Sequence, residues 1–279
     1  MGATIETLAF GFGLIEGPRI DALGNLYFSD VRKGGVFRRS PEGSIETLVP
    51  RRRGVGGIAL HADGGLVISG RNVCWVRDGQ TRVLLERDDI PGFNDLVADP
   101  EGRIYVGSMR SDPFSGEGMR TPGECYRIEL DGEVRELYGG VELSNGIGLS
   151  PRGDRLYHSD TSPRCIWVHD LDPQGRLHDR RVFATLDAGA PDGLAVDREG
   201  GVWVADVSGG GVQRFTPKGR LDRKLAFPSD FVTSLCFGGN DGRDLYVVTA
   251  SNLEDPARGG TIFRTRSEFA GLPASFARV

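Results

Sequence analysis

Four oxygen-bearing side chains occupy equivalent places in the sequence, each directly before a short apolar segment. They are Glu16 before GPRI, Asn94 before DLVAD, Asn145 before GIGLS and Asp192 before GLAVD. Two carboxylates and two amides are hard ligands that suit Ca²⁺, Mg²⁺ or Mn²⁺, and the set contains no Cys or His. If the fold brings the four side chains together, they predict a site for a divalent cation.

A sixfold repeat in the sequence predicts a fold in which these residues come close together. Each unit has an apolar strand, a turn of the D-x-x-G type and an alternating strand that ends in Ser, Asp or Thr. The turns begin at Asp21, Asp63, Asp99, Ser150, Asp197 and Asn240. Each unit continues into a further strand pair, and units of four strands at this spacing are typical of propeller blades. We therefore predict an all-β fold, a six-bladed β-propeller with four-stranded antiparallel blades, as a single domain over residues 1–279.

The first strand of every propeller blade lines the central channel, so residues at one repeat position form a ring around its axis. Glu16, Asn94, Asn145 and Asp192 are then expected to converge at one end of the channel. The leading strand around Thr4 to Phe10 has no blade of its own. We expect it to complete the last blade, which would close the ring and remove an exposed edge.

Composition narrows the possible partners. The 279 residues carry a net charge of −5, and the basic residues are mostly scattered arginines. The one run, Arg51-Arg52-Arg53, is interpreted as a solvated connecting loop, and no nucleic-acid partner is expected. The chain shows no signal-peptide pattern and no apolar stretch of about 18 residues, which predicts a cytoplasmic protein without a membrane partner. A propeller buries its core alone, so a monomer is expected.

Other catalytic patterns are missing from the sequence. There is no G-x-S-x-G, H-E-x-x-H or G-x-x-x-x-G-K-[ST] motif, and no histidine stands at the ring position. His158 could face the substrate or serve as a hydrogen-bonded histidine within a blade. Asp30, Asp160 and Asp206 share a strand-end position and are expected to bond turns. The four cysteines are far apart, and we expect them to be reduced packing residues.

Three segments resemble a known family. E-G-P from Glu16, S-N-G-I-G-L-S-P from Ser144 and P-D-G-L-A-V-D from Pro191 are similar to signatures of the SMP-30/gluconolactonase/LRE-like family. The resemblance implies a six-bladed propeller and a metal-dependent hydrolase, mostly acting on sugar lactones. It implies that Glu16, Asn145 and Asp192 are metal ligands, and that Asn94 lies at the metal and the substrate. Animal members carry Arg two residues before this Asn, whereas this chain has Gly92, so their fine specificity does not transfer.

The predicted function is that of a metal-dependent lactonase in which a metal-activated water attacks a small lactone, most naturally that of a sugar acid. One divalent ion is expected, with Ca²⁺ first and Mn²⁺, Mg²⁺, Zn²⁺ or Fe²⁺ as alternatives. Asp192 is the candidate general base, although it could act as a ligand only. The long segment 109–124 could be a lid with Arg110 and Glu124 as substrate contacts, or an ordinary surface excursion.

Three alternatives remain open at this point. The same ion could serve an organophosphate or aryl-ester hydrolase, because a polarising cation does not choose between carbonyl and phosphoryl substrates. The chain could also be a non-catalytic propeller that binds a ligand on its face. A strictosidine-synthase-like propeller is a further possibility, although such a relative is not expected to keep these four ligands.

Overall fold

The computed structural model describes residues 4–111, 121–172 and 174–279. These residues form 24 strands, which pair into six antiparallel sheets of four strands each. The sheets follow one another along the chain as the blades of a six-bladed β-propeller. The predicted fold is therefore confirmed.

The bounds of the strands in the first half are as follows. Strand β1 is Glu6–Phe12 and precedes blade one. Blade one contains β2 (Ile15–Ile20), β3 (Leu26–Asp30), β4 (Val36–Arg39) and β5 (Ile45–Val49). Blade two contains β6 (Ile58–Leu60), β7 (Leu66–Ile68), β8 (Val73–Arg77) and β9 (Gln80–Leu85). Blade three contains β10 (Gly92–Ala98), β11 (Ile104–Met109), β12 (Gly123–Ile128) and β13 (Val134–Val141).

The second half repeats this arrangement. Blade four contains β14 (Ser144–Leu149), β15 (Arg155–Asp160), β16 (Cys165–Leu171) and β17 (Leu177–Thr185). Blade five contains β18 (Ala190–Val196), β19 (Val202–Val207), β20 (Gly211–Phe215) and β21 (Leu221–Ala226). Blade six contains β22 (Val232–Gly238), β23 (Asp244–Thr249) and β24 (Gly260–Arg266). One turn of 3₁₀ helix, Pro256–Arg258, precedes β24, and the described residues contain no helix that is long and apolar enough to cross a membrane.

The repeated turns hold the first two strands of a blade together. The Asp99 carboxylate accepts hydrogen bonds from the backbone N–H groups of Gly102 and Arg103, both at 2.9 Å. The Asp197 carboxylate accepts from Glu199 at 3.0 Å and Gly201 at 2.8 Å. These Asp side chains satisfy backbone donors that the tight turn leaves unpaired, which is why the motif recurs from blade to blade.

The N-terminal strand closes the ring. Strand β1 pairs with β24, from Glu6 opposite Arg264 to Phe12 opposite Gly260, and becomes the outermost strand of blade six. The ring of Phe12 also meets the ring of Phe28 in blade one edge to face, with centroids 5.0 Å apart. The expected closure by the leading strand is thus confirmed, and it joins the two ends of the repeat.

The core lies between neighbouring blades. Each of six apolar clusters draws its side chains from two adjacent blades; Leu96 and Val106 of blade three, for example, pack with Ala59 and Val67 of blade two. Such faces are apolar because water is excluded on both sides of every blade. Each blade is therefore stabilised by its two neighbours.

The C-terminal segment crosses the end of the channel opposite the ring residues. The Leu272 N–H donates to the Val196 carbonyl at 3.0 Å, and Ala277 pairs with His61 on the far side. Residues 272–275 line a cavity of about 350 Å³ at this end, together with Arg19 and the carboxyl ends of the first strands. This cavity therefore lies at the end of the channel that is opposite the ring residues.

Candidate metal centre

The first strands of five blades share an irregularity at the same place, and one of them is β22, where the shift falls at Thr233. In β2, β10, β14 and β18, pairing with the second strand of the blade shifts at the ring residue or directly after it. A bulge interrupts the ladder and can redirect a side chain, and bulges are frequent beside functional sites. The ring residues at these places are Glu16, Asn94, Asn145 and Asp192. The local backbone therefore frees each of them from the pleat of its sheet.

All four side chains line one cavity of about 760 Å³ at the mouth of the channel. The structure thus brings together the four residues that the repeat register predicts to meet, although they are up to 176 positions apart in sequence, from Glu16 to Asp192. The wall also includes Gly92 and Phe93 of blade three and Phe231, which precedes blade six. A cavity of this volume is in the range of small-molecule sites.

Hydrogen bonds fix the two amides relative to each other. The Asn94 Nδ2 donates to the Asn145 Oδ1 and to the Ser144 carbonyl, both at 2.8 Å. The Asn145 Nδ2 donates to the Thr161 Oγ1 at 2.8 Å, and that hydroxyl donates to the Pro191 carbonyl at 2.7 Å. The Asn145 oxygen is therefore turned away from Thr161 and keeps a free lone pair for a further ligand. The sequence analysis did not identify Thr161, which directly follows the strand-end residue of its blade.

The two carboxylates among the ring residues, Glu16 and Asp192, are buried, and their charges interact. Glu16 is 8% exposed and Asp192 is 6% exposed. Burial raises the pKa of Glu16 well above its usual 4.5, and the charges of Asp192 and Asp95 raise it further. Burial, followed by the charge of Asp95, likewise raises the pKa of Asp192 well above 3.8. The Asp192 Oδ1 is buried and has no hydrogen-bond partner among the described residues.

A third buried carboxylate, that of Asp95, lies in the same region, and the sequence analysis did not single it out. Its Oδ1 accepts from the Leu96 N–H at 2.8 Å and from the Arg19 guanidinium at 3.4 Å, and its Oδ2 accepts from the Ile147 N–H at 3.4 Å. Burial raises its pKa, and the charge of Arg19 partly offsets the rise. The only feature of the sequence that points to Asp95 is its place directly after Asn94.

A divalent cation would compensate the negative charge of these carboxylates. When Glu16, Asp95 and Asp192 are ionised, Arg19 neutralises one of the three charges and two negative charges remain. Buried carboxylates are unfavourable unless they are paired or coordinate a metal. The unpartnered Asp192 oxygen and the hard donor set fit Ca²⁺, Mg²⁺ or Mn²⁺.

The two remaining ring positions do not supply ligands but shape the site. Thr233 of blade six donates its hydroxyl to backbone carbonyls, including that of Val248 at 3.1 Å. Gly56 of blade two lies under the Asn94 amide, and a Cβ at Gly56 would stand 1.8 Å from the Asn94 Oδ1. The absence of a side chain at Gly56 therefore makes room for the amide of blade three.

Comparison with known proteins identifies the family. The family model described as SMP-30/Gluconolactonase/LRE-like region matches residues 14–251, which include every ring position. The chain belongs to the SMP-30/gluconolactonase/LRE-like family. This confirms the resemblance carried by the motifs at Glu16, Ser144 and Pro191.

Relatives of this SMP-30/gluconolactonase-like chain match over nearly its whole length. The pentonolactonase XacC of Haloferax volcanii is 30% identical over 264 residues, covering 89% of this chain and 88% of the relative. The 6-deoxy-6-sulfogluconolactonase of Pseudomonas putida is 32% identical over 263 residues, covering 88% of each. A solved luciferin-regenerating enzyme superposes with a TM-score of 0.90 at 23% identity, covering 100% of both chains. The last comparison supports the fold alone.

Arg110 and Glu124, the predicted substrate contacts, lie close to each other. The Arg110 Nε donates to the Glu124 Oε1 at 2.6 Å, and its Nη1 donates to the Asp89 carboxylate at 3.0 Å. Neither residue is among the described residues that line the cavity, although the neighbouring Met109 and Ser111 are. Residues 112–120 of the predicted lid segment lie outside the described residues.

His158 is held within its blade. Its Nε2 lies 2.7 Å from the Ser144 Oγ and its Nδ1 lies 2.7 Å from the Tyr138 hydroxyl. Burial is the main cause of a pKa lowered to about 3, so the ring is neutral. Of the two roles considered for His158, the structure therefore supports the hydrogen-bonded one. Its bond to Ser144 holds the residue that precedes Asn145.

The strand-end Asp residues bond to turns and neighbouring strands, as the sequence suggests. Asp30 accepts from the Gly13 N–H at 2.7 Å and the Lys33 N–H at 2.9 Å, and Asp160 accepts from the Leu143 N–H at 2.9 Å. Asp206 accepts from the Gln213 side chain at 2.6 Å. The four cysteines, all in the described part of the chain, are buried and free of disulfides.

Proposed function

We propose that this chain is a hydrolase that depends on one divalent cation and opens a small lactone, with sugar-acid lactones as the substrate class. The observation that carries the proposal is the convergence of two buried carboxylates and two oriented amides in one cavity. Membership of the SMP-30/gluconolactonase/LRE-like family supports it, as do two relatives that are named lactonases.

Glu16, Asn145 and Asp192 would hold the cation, with Ca²⁺ as the first expectation and Mn²⁺, Mg²⁺, Zn²⁺ or Fe²⁺ as alternatives. When bound, the cation would supply a positive charge that polarises a lactone carbonyl and favours the ionisation of water. Asn94 would hold the substrate beside it, because its amide already spans blades three and four. Thr161 would keep the Asn145 oxygen turned towards the cation.

Asp192 is the proposed proton acceptor. Its Oδ1 has no hydrogen bond to the described residues, so this oxygen is available to orient a water molecule and take its proton. A raised pKa brings a carboxylate closer to the operating pH, which favours general base catalysis. A bound cation lowers the pKa again, so a role as ligand only is the competing possibility.

Arg110 and Glu124 remain proposed substrate contacts under one condition. Their mutual ion pair, at 2.6 Å, occupies the donor and the acceptor that a lactone hydroxyl would need. Either residue would therefore contact substrate only after the pair opens. Replacing Glu124 with Gln should weaken the pair and change KM if this contact forms.

The experiment is hydrolysis of aldonolactones, followed by a pH indicator, after chelator treatment and refilling with each candidate ion. We expect activity to vanish on chelation, to return with one ion, and to be lost in both Asp192→Ala and Asn145→Ala. Hydrolysis of only aryl esters or phosphotriesters would replace the lactone substrate. A protein that binds the ion but turns over none of these substrates would be a binding module.

A further inference from the structure

Three arginines join the wall of the same cavity. Arg32 comes from the β3–β4 loop, Arg53 from the β5–β6 loop and Arg71 from the β7–β8 loop. All three loops belong to blades one and two, so the arginines occupy a single sector of the rim. Arg53 belongs to the run of three arginines that the sequence analysis interpreted as a solvated loop.

The charge of the cavity is unbalanced on this side. Among the described residues that line it, the acidic ones are Glu16 and Asp192, which are the proposed cation ligands. A bound divalent cation would compensate those two carboxylates. The positive charges of Arg53 and Arg71 would then remain for whatever fills the cavity.

Two of the arginines have no acidic partner in the described part of the chain. Neither Arg53 nor Arg71 has a carboxylate oxygen within 4.0 Å, whereas Arg110 at the edge of blade three is paired with both Asp89 and Glu124. The Arg71 Nη1 donates to the carbonyls of Arg87 at 3.2 Å and Ile90 at 2.9 Å. Carbonyls position a guanidinium without neutralising it, so Arg71 keeps its full charge.

The other described residues of the wall are uncharged. Blade three contributes Gly92 and Phe93, the β13–β14 connection contributes Leu143, and Phe231 precedes blade six. Among the described residues that line the cavity, positive charge therefore faces a ligand beside Glu16 and Asp192 only from blades one and two. Guanidinium groups bind carboxylate, sulfonate and phosphate oxygens through paired, charge-assisted hydrogen bonds.

We propose that the cavity selects a lactone that carries an anionic group remote from its reacting carbonyl, and that Arg53 and Arg71 bind this group with Arg32 in the same sector. This inference rests on the proposed lactonase function and names the class of substrate within it. The anionic group is a carboxylate, sulfonate or phosphate, since all three present the oxygens that a guanidinium recognises.

The test compares kcat/KM for matched lactones in the metal-loaded protein. One pair is the γ-lactone of gluconic acid and that of glucaric acid, which adds a carboxylate. The other pair is glucono-δ-lactone and its phosphate ester at the terminal hydroxyl. We expect the anionic member of at least one pair to be preferred by about tenfold or more, and the preference to weaken as salt is raised.

Variants separate this inference from the function on which it rests. The double variant Arg53→Gln with Arg71→Gln should lower the ratio of anionic to neutral kcat/KM by about tenfold or more. Arg51→Gln is the matched control, because Arg51 is exposed in the same run but does not line the cavity; it should keep the wild-type ratio.

Each outcome is decisive. Hydrolysis of neutral and anionic lactones at equal rates, or a ratio that the double variant does not change, would overturn the anion preference and leave the lactonase function standing. Absence of hydrolysis for every lactone in each refilled sample would overturn the function itself. A preference in the carboxylate pair alone, or in the phosphate pair alone, would support the inference and identify the anion.

Discussion

At the scale of single residues, the site is defined by buried acidic groups that lack enough compensation within the protein. Glu16 and Asp192 are buried at the mouth of the channel near Asp95. The structure pairs one guanidinium, that of Arg19, with one of these three carboxylates, that of Asp95. A bound cation would replace the repulsion between these carboxylates with attraction to the cation. The groups proposed to bind the ion are therefore expected to destabilise the fold when the ion is absent.

Replacing Asp192 with Asn should separate these two effects. We expect the affinity for Ca²⁺ or Mn²⁺ to fall by at least about a hundredfold, because a charged ligand is lost. The metal-free protein should become more stable by about 1–2 kcal/mol at neutral pH, because a carboxylate of raised pKa no longer has to ionise. Titration calorimetry and thermal unfolding in chelator measure the two quantities. Asp187→Asn, at an exposed position in the preceding loop, is the control; equal behaviour of the two variants would refute the assignment.

A second residue prediction concerns Gly56. An added methyl group would stand 1.8 Å from the Asn94 Oδ1, so Gly56→Ala must displace that amide. We expect kcat/KM to fall by about tenfold to a hundredfold while the fold remains, since small misplacements in a site cost this much. Gly139→Ala, whose Cβ would have its nearest neighbour at 3.8 Å, is the control. Wild-type kinetics in Gly56→Ala would show that Asn94 does not act in the reaction.

The four ring residues were predictable from the sequence because oxygen-bearing side chains recur at one position of the repeat. Asp95 was not predicted as a site residue. Alternation along a strand assigns the residue after Asn94 to the other face of the sheet, and a bulge cannot be predicted from apolar spacing. Arg53 was not predicted as a residue of the cavity wall for a different reason. The path of a loop over the channel mouth depends on tertiary contacts, and a run of charge by itself indicates only solvent exposure.

At the scale of elements, the turn and strand pattern carries most of the information about the fold. The Asp residues of the repeated turns bond backbone N–H groups locally, so a sequence motif is enough to place them. Side-chain pairs between distant positions are different: Arg110, directly after β11, pairs with Glu124 in β12 across a long segment, and no local pattern requires it. Elements were therefore predictable, whereas such side-chain pairs were not.

Closure by β1 gives a prediction at this scale. A chain that begins at Gly13 would lack the strand paired with β24 and the Phe12 ring that packs on Phe28. We expect a Tm about 10 °C lower or more, together with aggregation through the exposed edge of β24. A chain that begins at Thr4 keeps β1 and is the control. Equal melting of the two truncated proteins by calorimetry would show that the ring does not depend on this closure.

At the scale of the whole molecule, six apolar clusters join the blades in a circle, and the proposed cation site lies where the first strands of the blades converge. The proposed ligands come from blades one, four and five, and Asn94 comes from blade three. The site therefore exists only when the ring is assembled, so ion binding and global stability should be coupled.

That coupling should depend on pH with a definite sign. In the folded protein, Glu16 and Asp192 stay protonated at pH values above their usual pKa values of 4.5 and 3.8, whereas in the unfolded chain they have lost their protons at the same pH. The metal-free protein should thus lose stability as pH rises through that window. Cation binding requires ionised ligands, so affinity should increase as pH rises above the usual carboxyl pKa values, with release of protons. Calorimetry in buffers of different ionisation enthalpy counts these protons; a constant affinity without proton release would contradict the assignment.

The measurement that tests the central claim most directly is diffraction from crystals grown with Mn²⁺, with data collected at the manganese absorption edge. We expect one dominant anomalous peak at the mouth of the channel, within bonding distance of oxygens of Glu16, Asn145 and Asp192. A peak only at the exposed group of Asp170, His178 and Asp179, whose ligand atoms lie within 4.8 Å of one another, would contradict it. So would the absence of any bound ion in crystals whose protein hydrolyses lactones at full rate in chelator.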